Sequence, residues 1–468
     1  MLKAEIGTRR DPVLALELLA GCQDVFTSVN GRFQYYISSG KAYANARNFS
    51  AASAMFENAD AIAGKSLRWC LSLSAYHRAR LRWLMHDFDP HCEDLQASLK
   101  DPSPAVKVPA LLVRAWMHAG LGSYESQVED FIAALDIVER RPDDCDAAAV
   151  AIGIHSLLRV AMEIGHRAGI AAGELAYERL EWSADIRTDQ FQSLRALAWD
   201  AFLRGESGRA QWLFKDSKEI APSRAWKVMA HLDRAYVARM NRNETWASEE
   251  LLSAQKLARQ VTWSETRGEE RLALVTLALL CAPVDMAQAQ RYVSTYIQLG
   301  TESISPTLAV TFDRRAIGFE RYASGTVHQI LGNAKYAARL FEDAYEIFSA
   351  ANHHHRASLA ALAVHNATGG APWLDLANEH AKHFPNSPVY KHLHDATLPE
   401  DEFLLCDLTA MQRQVAQALC EGLEVKQMSH RFSRSAFTIG KHIEAVYASF
   451  GVDSRKALRT ELQWRRGA

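Results

Sequence analysis

The chain has little that would make it an enzyme, a membrane protein or a disulfide-built domain. None of its seven cysteines (Cys22, Cys70, Cys92, Cys145, Cys281, Cys406 and Cys420) forms a Cys-x-x-Cys pair. An odd, scattered set argues against a disulfide framework and for a reducing compartment. No run approaches the eighteen uninterrupted apolar residues of a membrane span, and the apolar stretch near the N-terminus is broken by Glu17 and lacks a cleavage site. The expected location is therefore the cytoplasm, away from a membrane. There is no Gly-x-Ser-x-Gly elbow, no glycine-rich dinucleotide loop and no convincing pair of catalytic carboxylates. The nearest thing to a phosphate loop is Gly64-Lys65-Ser66, but Ala59 stands where the turn would need glycine. His380 and His383 lie one helical turn apart, a spacing able to hold a metal, yet no second motif accompanies them. With His353, His354, His355, His392 and His394 they read as surface and loop histidines. The expectation is no catalysis, no cofactor and no metal. Alternating β-branched runs are missing too, and the helical pattern of the first residues excludes a receiver domain with its parallel sheet.

What is present is an ordinary globular composition, 48% hydrophobic and 23% charged, with a formal net charge of -2. That total conceals an asymmetry. From Leu408 onward ten basic residues face five acidic ones, a balance of +5, which leaves -7 on the remainder. A small basic end on a larger acidic body is the pattern expected where one end meets phosphate.

The body carries a degenerate internal repeat. Its best unit contains Tyr36, Gly40, Tyr43, Phe49, Ala52, Phe56 and Ala59, and its second-best contains Gly325, Gly332, Ala337, Phe341 and Ala344. Parts of the same register recur at Gly122, Tyr124, Phe131 and Ala134, at Gly205, Ala210, Phe214 and Pro222, and at Ala247, Leu251 and Ala254. This spacing resembles the tetratricopeptide repeat, in which small residues let two antiparallel helices approach and larger ones fill the space around the contact. The register fades over 66–100, 140–190 and 260–320. Those stretches keep apolar residues at helical spacing and read as hairpins whose marker residues have drifted. Each marker is read as core packing. The repeats predict architecture and a concave surface able to take a protein, a peptide or a small ligand.

After Gly369-Gly370-Ala371-Pro372 the repeat pattern thins, and Pro385, Pro388 and Pro399 punctuate the next thirty or so residues. The expected organisation is a repeat domain over 1–395, a linker over 396–407 and a C-terminal domain over 408–468. In the last, Thr409 is placed to cap a helix bearing Val415, Ala418 and Leu419, and Gly422 to end it. A short helix runs from about Val425 to Phe432. Ser433 or Ser435 caps a third, on which Ile439, Ile443, Val446 and Phe450 share one face and Phe437, Gly440, Lys441 and Glu444 another. Gly451 ends it, and a basic fourth helix covers about Ser454 to Trp464. Two short helices joined by a tight turn, the second with a solvent-facing stripe, describe a helix-turn-helix.

This segment resembles the LuxR/FixJ-type helix-turn-helix. The resemblance is carried without a gap by Leu408-Thr409, Val415, Glu421-Gly422-Leu423, Lys426, Met428, Ser435, Thr438-Ile439, His442, Val446, Phe450-Gly451-Val452 and Ser454-Arg455. It implies a bacterial-type regulator whose third helix enters the major groove of double-stranded DNA and whose fourth pairs two heads in a homodimer. Carried over by position, Ala436, Phe437, Gly440, Lys441 and Glu444 face the groove, and Ser435 and Thr438 meet phosphate. Plain charge adds Lys426, Arg431, Arg434 and Arg455 as phosphate contacts, and His442 belongs to the matching motif. Gly440 stands where the family usually has lysine, Glu444 where it often has a basic or polar residue, and Arg434 where it usually has an apolar one. The layout is similar to regulators of the maltose-activator type, without their nucleotide-binding module. The expected fold is all-α, a tetratricopeptide-like superhelix followed by a four-helix head. The expected function is sequence-specific transcription regulation, with the signal received by the body. The alternative is an interaction scaffold whose head binds DNA weakly or not at all.

Overall fold

The computed structural model describes residues 12–22, 25–64, 68–241, 243–266, 268–299, 314–397, 408–432, 434–458 and 460–461, and no strand occurs among them. The chain divides into two compact units, Met1–Pro388 and Val389–Ala468.

The larger unit is a tetratricopeptide-like stack of helical hairpins. After α1 (Pro12–Ala20), α2 (Val29–Asn45) pairs with α3 (Phe49–Ala63), α4 (Arg68–Leu84) with α5 (Glu93–Leu99), and α6 (Pro104–Leu121) with α7 (Tyr124–Arg140). Then come α8 (Ala147–Ile164) with α9 (Arg167–Arg179), α10 (Arg187–Leu203) with α11 (Ser207–Ile220), and α12 (Arg224–Met240) with α13 (Glu244–Ala258). The series closes with α14 (Gly268–Cys281) and α15 (Met286–Gln298), α16 (Arg314–Ile330) and α17 (Ala334–Ala350), and α18 (His354–Thr368) and α19 (Ala371–Ala381). A further helix, α20 (Pro388–Thr397), starts at the boundary between the units.

Local chemistry explains where these helices begin. Asn48, Asn243 and Asp285 accept hydrogen bonds from the backbone N–H of Ala51, Trp246 and Gln288 at 3.2, 3.1 and 2.9 Å. Each therefore satisfies one of the donors that a helix start leaves without an internal partner. Close approach within a hairpin comes from glycine. A β-carbon on Gly40 would collide with the Phe56 ring, and one on Gly325 with the Phe341 ring. Both rings are almost wholly buried. The two best sequence units thus make the same contact, a ring of the second helix seated on a glycine of the first.

The stretches with drifted markers are hairpins as well: α4 and α5, α8 and α9, α14 and α15. Helix α8 is the one described helix long and apolar enough to cross a membrane, but it carries Arg159 and Glu163, and 61% of it is buried inside the body. It packs against α7, α9 and α10 as a core helix. The six described cysteines are free thiols.

The late hairpins return against the middle ones. Helix α18 meets α8, and α16 meets α6. The Arg356 Nε donates to both Glu163 carboxylate oxygens, at 3.2 and 3.3 Å. This return corrects the expectation of surface and loop histidines. His353 and His355 are buried, with His353 against the Tyr124 and Phe348 rings and His355 facing Trp199. His354 stacks on His383 at 3.4 Å and lies 3.1 Å, Nδ1 to Nδ1, from His380. Burial holds the His355 imidazole well below its ordinary range, and Arg356 adds to the effect. Burial, then His383 and His380, pull His354 down to about 4. A histidine run that looks like a polar turn in the sequence is a packing element here, because another hairpin covers it.

Candidate nucleic-acid interface

The smaller unit builds its outer helix from the inside. Thr409 and Gln412 form a reciprocal cap: the Thr409 N–H donates to Gln412 Oε1 at 2.7 Å, and the Gln412 N–H to Thr409 Oγ1 at 3.3 Å. That cap starts α21 (Ala410–Glu421), which ends at Gly422, whose φ of +91° lies in the left-handed region. Helix α22 (Val425–Arg431) opens with the Glu424 N–H donating to Gln427 Oε1 at 2.8 Å. A short turn comes next. Ser433 lies outside the described residues, and the cap of α23 (Ala436–Phe450) is Ser435, whose Oγ accepts from the Thr438 N–H at 3.1 Å. Gly451, with φ +64°, ends α23. Helical residues resume at Arg455 and reach Glu461, beyond which the expected end at Trp464 lies outside the described residues.

Leu408, Val415, Ala416, Ala418, Leu419, Met428, Ile439, Val446, Phe450 and Leu458 form the core, with Ile443 half-buried against it. The apolar face of α23 is thereby taken by α21 and α22. Its other face looks outward. Ala436, Phe437, Lys441 and Glu444 are exposed, Phe437 by 74%. The Lys441 ammonium lies 4.9 Å from the Phe437 ring centroid, a cation held over a π face. Gly440, between them, has nothing within 4 Å of where a β-carbon would stand.

The remaining candidates fall in different places. Lys426, Arg431 and Arg434 are exposed, with Arg431 over the Phe432 ring at 5.7 Å. His442 is half-buried. The Ser435 and Thr438 hydroxyls lie 2.9 Å apart and bond to each other. Arg455, expected as a phosphate contact, also has a task inside the unit. Its guanidinium donates to the Gly422 and Leu423 carbonyls at 2.9 and 2.5 Å, tying the end of α21 to the final helix. The Gly422 carbonyl, at the C-cap, is an orphan of the helix end, and both carbonyls lie where a helix C-terminus attracts a cation. The partnership of Lys441 with Phe437 was also missed, although their i, i+4 spacing on one helix face is its signal.

No family model matches the chain, and no curated protein matches it. Solved structures do. A chain of the APC/C hetero-tetramer Cut9-Hcn1 is similar over 82% of this chain and 81% of its own, at 14% identity and a TM-score of 0.28. Yeast Tom70 is similar over 89% of this chain and 96% of its own, at 12% identity and a TM-score of 0.27. Superpositions this loose say nothing of ligand or activity. The hairpins themselves, with their glycine-on-ring contacts, carry the repeat architecture.

Proposed function

We propose that the chain is a helical-repeat scaffold that receives a partner on its body and binds double-stranded DNA through its C-terminal unit, as a sequence-specific transcription regulator. One observation carries the DNA half: α23 buries Ile439, Val446 and Phe450 and leaves Phe437 and Lys441 outside, side by side, with no task inside the fold. A helix of this width fits the major groove. The basic balance of the segment from Leu408 onward supplies attraction to phosphate. In this reading Lys441, Phe437 and Ala436 approach base edges. Glu444 accepts from a cytosine amino group, and Lys426, Arg431 and Arg434 lie along the phosphates. Pairing of two heads on a two-fold site and a cytoplasmic location belong to the same proposal.

The body's half is broader. Stacked hairpins offer an extended surface, and such surfaces hold proteins, peptides or small ligands. The scaffold reading, with a silent head, is favoured by Glu444 and Gly440 on the outward stripe, where one repels phosphate and the other removes a contact.

A salt-titrated gel shift with genomic fragments separates the two. Regulation predicts binding that weakens steeply as salt rises, with a footprint that changes at one base position for Lys441→Ala and an even loss across sequences for Lys426→Ala. If the full chain retains no fragment even at low salt, the DNA half falls and the scaffold stands alone. A footprint identical in Lys441→Ala removes the groove assignment.

A further inference from the structure

The body holds a half-open cavity of about 270 Å³, against the ~10–15 Å³ that one water needs. Its walls come from the first helix of every hairpin from α8 to α18: α8, α10, α12, α14, α16 and α18. The inward stripes of these helices are therefore left with no hairpin partner of their own and face one another across open space. Trp226, Met229 and Tyr236 on α12, Leu279 on α14, and Phe319 and Tyr322 on α16 make the wall largely apolar and aromatic. Leu279 stays 37% exposed within it.

The polar part of the wall is built from charged side chains. Arg159, Arg195 and Arg356 face it, against Glu163 and Asp233. Burial holds the His355 imidazole well below its ordinary range. Arg195 is committed to Asp233, its Nε 2.5 Å from Oδ2. Arg356 is different. Only its Nε reaches Glu163, and its two terminal nitrogens make no hydrogen bond to any described residue. Its guanidinium lies 4.9 Å from the Phe319 ring centroid. Its side chain is 29% exposed where that of Glu163 is 2% exposed. Among the neutral groups, Thr276 and Thr326 donate to their own helices' carbonyls, at Leu272 and Tyr322, while the Tyr236 hydroxyl and the Trp199 indole N–H are buried in the wall without a hydrogen-bond partner among the described residues.

We propose that this cavity is a binding site for a small amphipathic monocarboxylate, held through its carboxylate by the terminal nitrogens of Arg356 and through its apolar part by the aromatic wall. A planar guanidinium fork matches a carboxylate with two parallel hydrogen bonds. Glu163, already on Arg356, opposes the roughly -1.5 to -2 of a phosphate monoester more than the single charge of a carboxylate. Arg356 also joins α18 to α8 through Glu163, so an anion on its free nitrogens loads the contact by which the late hairpins return on the middle ones.

The site lies wholly within the repeat unit and does not rest on DNA binding. The test is a calorimetric titration of the full chain with octanoate, 4-phenylbutyrate and indole-3-acetate, each against its primary amide, with tryptophan emission as a second readout. At least one acid is expected to bind about tenfold or more tightly than its amide. In the double variant Glu163→Gln with Arg356→Met, which leaves no buried carboxylate unpaired, acid and amide should bind alike. Leu279→Trp, which fills the cavity and touches no charged group, should weaken both. The proposal is overturned if no acid binds better than its amide, or if the preference survives in the double variant. Neither result depends on a gel shift, so loss of this site and loss of the DNA reading can be told apart.

Discussion

Two mid-helix glycines, one in each unit, have opposite surroundings. Gly325 of the body lies under the Phe341 ring, and its missing side chain is what lets α16 and α17 touch. Gly440 of the C-terminal unit has open space where its side chain would be. The same contrast runs through the aromatic and charged residues. The body buries Phe56, Phe341 and the His353–His355 turn, while the smaller unit holds Phe437 out in solvent with Lys441 over it. Small and aromatic residues in the body serve the closing of hairpins. On α23 they shape a surface. A residue type that packs in one region is held in solvent in the other, and burial of the opposite face tells them apart.

The sharpest way to break this comparison is Phe341→Ala. It should cost the body about 3–5 kcal/mol, because it empties the space above Gly325. Segment-resolved hydrogen exchange should show the loss over α16 to α19 and not over α21 to α23. Equal loss in both units would mean that they do not fold separately. Acid comes next. His77, His118, His354, His355 and His380 are all shifted downward, with burial as the first cause in each. Above the ordinary histidine pKa of 6.5, folded and unfolded chains are both neutral at these positions and they contribute nothing. As pH falls below 6.5 the unfolded chain takes up protons that the folded one refuses, so stability drops; for His354 the decline levels off below about 4. The urea midpoint of the body should therefore fall between about pH 7 and pH 5; a flat midpoint would place these histidines in water.

Within the smaller unit, Arg455→Ala should cost on the order of 2 kcal/mol, since the carbonyls of Gly422 and Leu423, just past the end of α21, lose a charged donor. The exposed neighbour Lys456→Ala should stay within about 0.5 kcal/mol of the parent. Similar melting for both variants would leave Arg455 with no task inside the unit. The smallest expected effect has the opposite sign. Gly440→Ala should stabilise α23 by about 0.5–1 kcal/mol, because a methyl group there meets nothing and the helix gains propensity. Destabilisation instead would show that the outward stripe is covered in the folded chain. At Gly325 the same substitution should destabilise.

The ends of α21, α22 and α23 were legible because caps and stops are local chemistry. Thr409, Ser435, Gly422 and Gly451 act on atoms a few residues away, and a sequence displays those atoms together. The inner face of α23 was legible for the same reason, as a 3.6-residue period needs no distant partner to be seen. The hairpins with drifted markers were expected from that period alone.

The amino-acid sequence by itself determined that the chain is helical throughout, where its best hairpins close, and which stripe of α23 is buried. All of these come from interactions across one or two helical turns. Only the tertiary structure decided that the histidine turn is interior, that Arg455 braces a helix end, and that Arg356 and Phe319 face a common cavity. Those outcomes depend on α18 coming back to α8, a contact between Arg356 and Glu163 that are 193 residues apart. No local pattern encodes such a return, because its partners are chosen by the summed curvature of every hairpin between them.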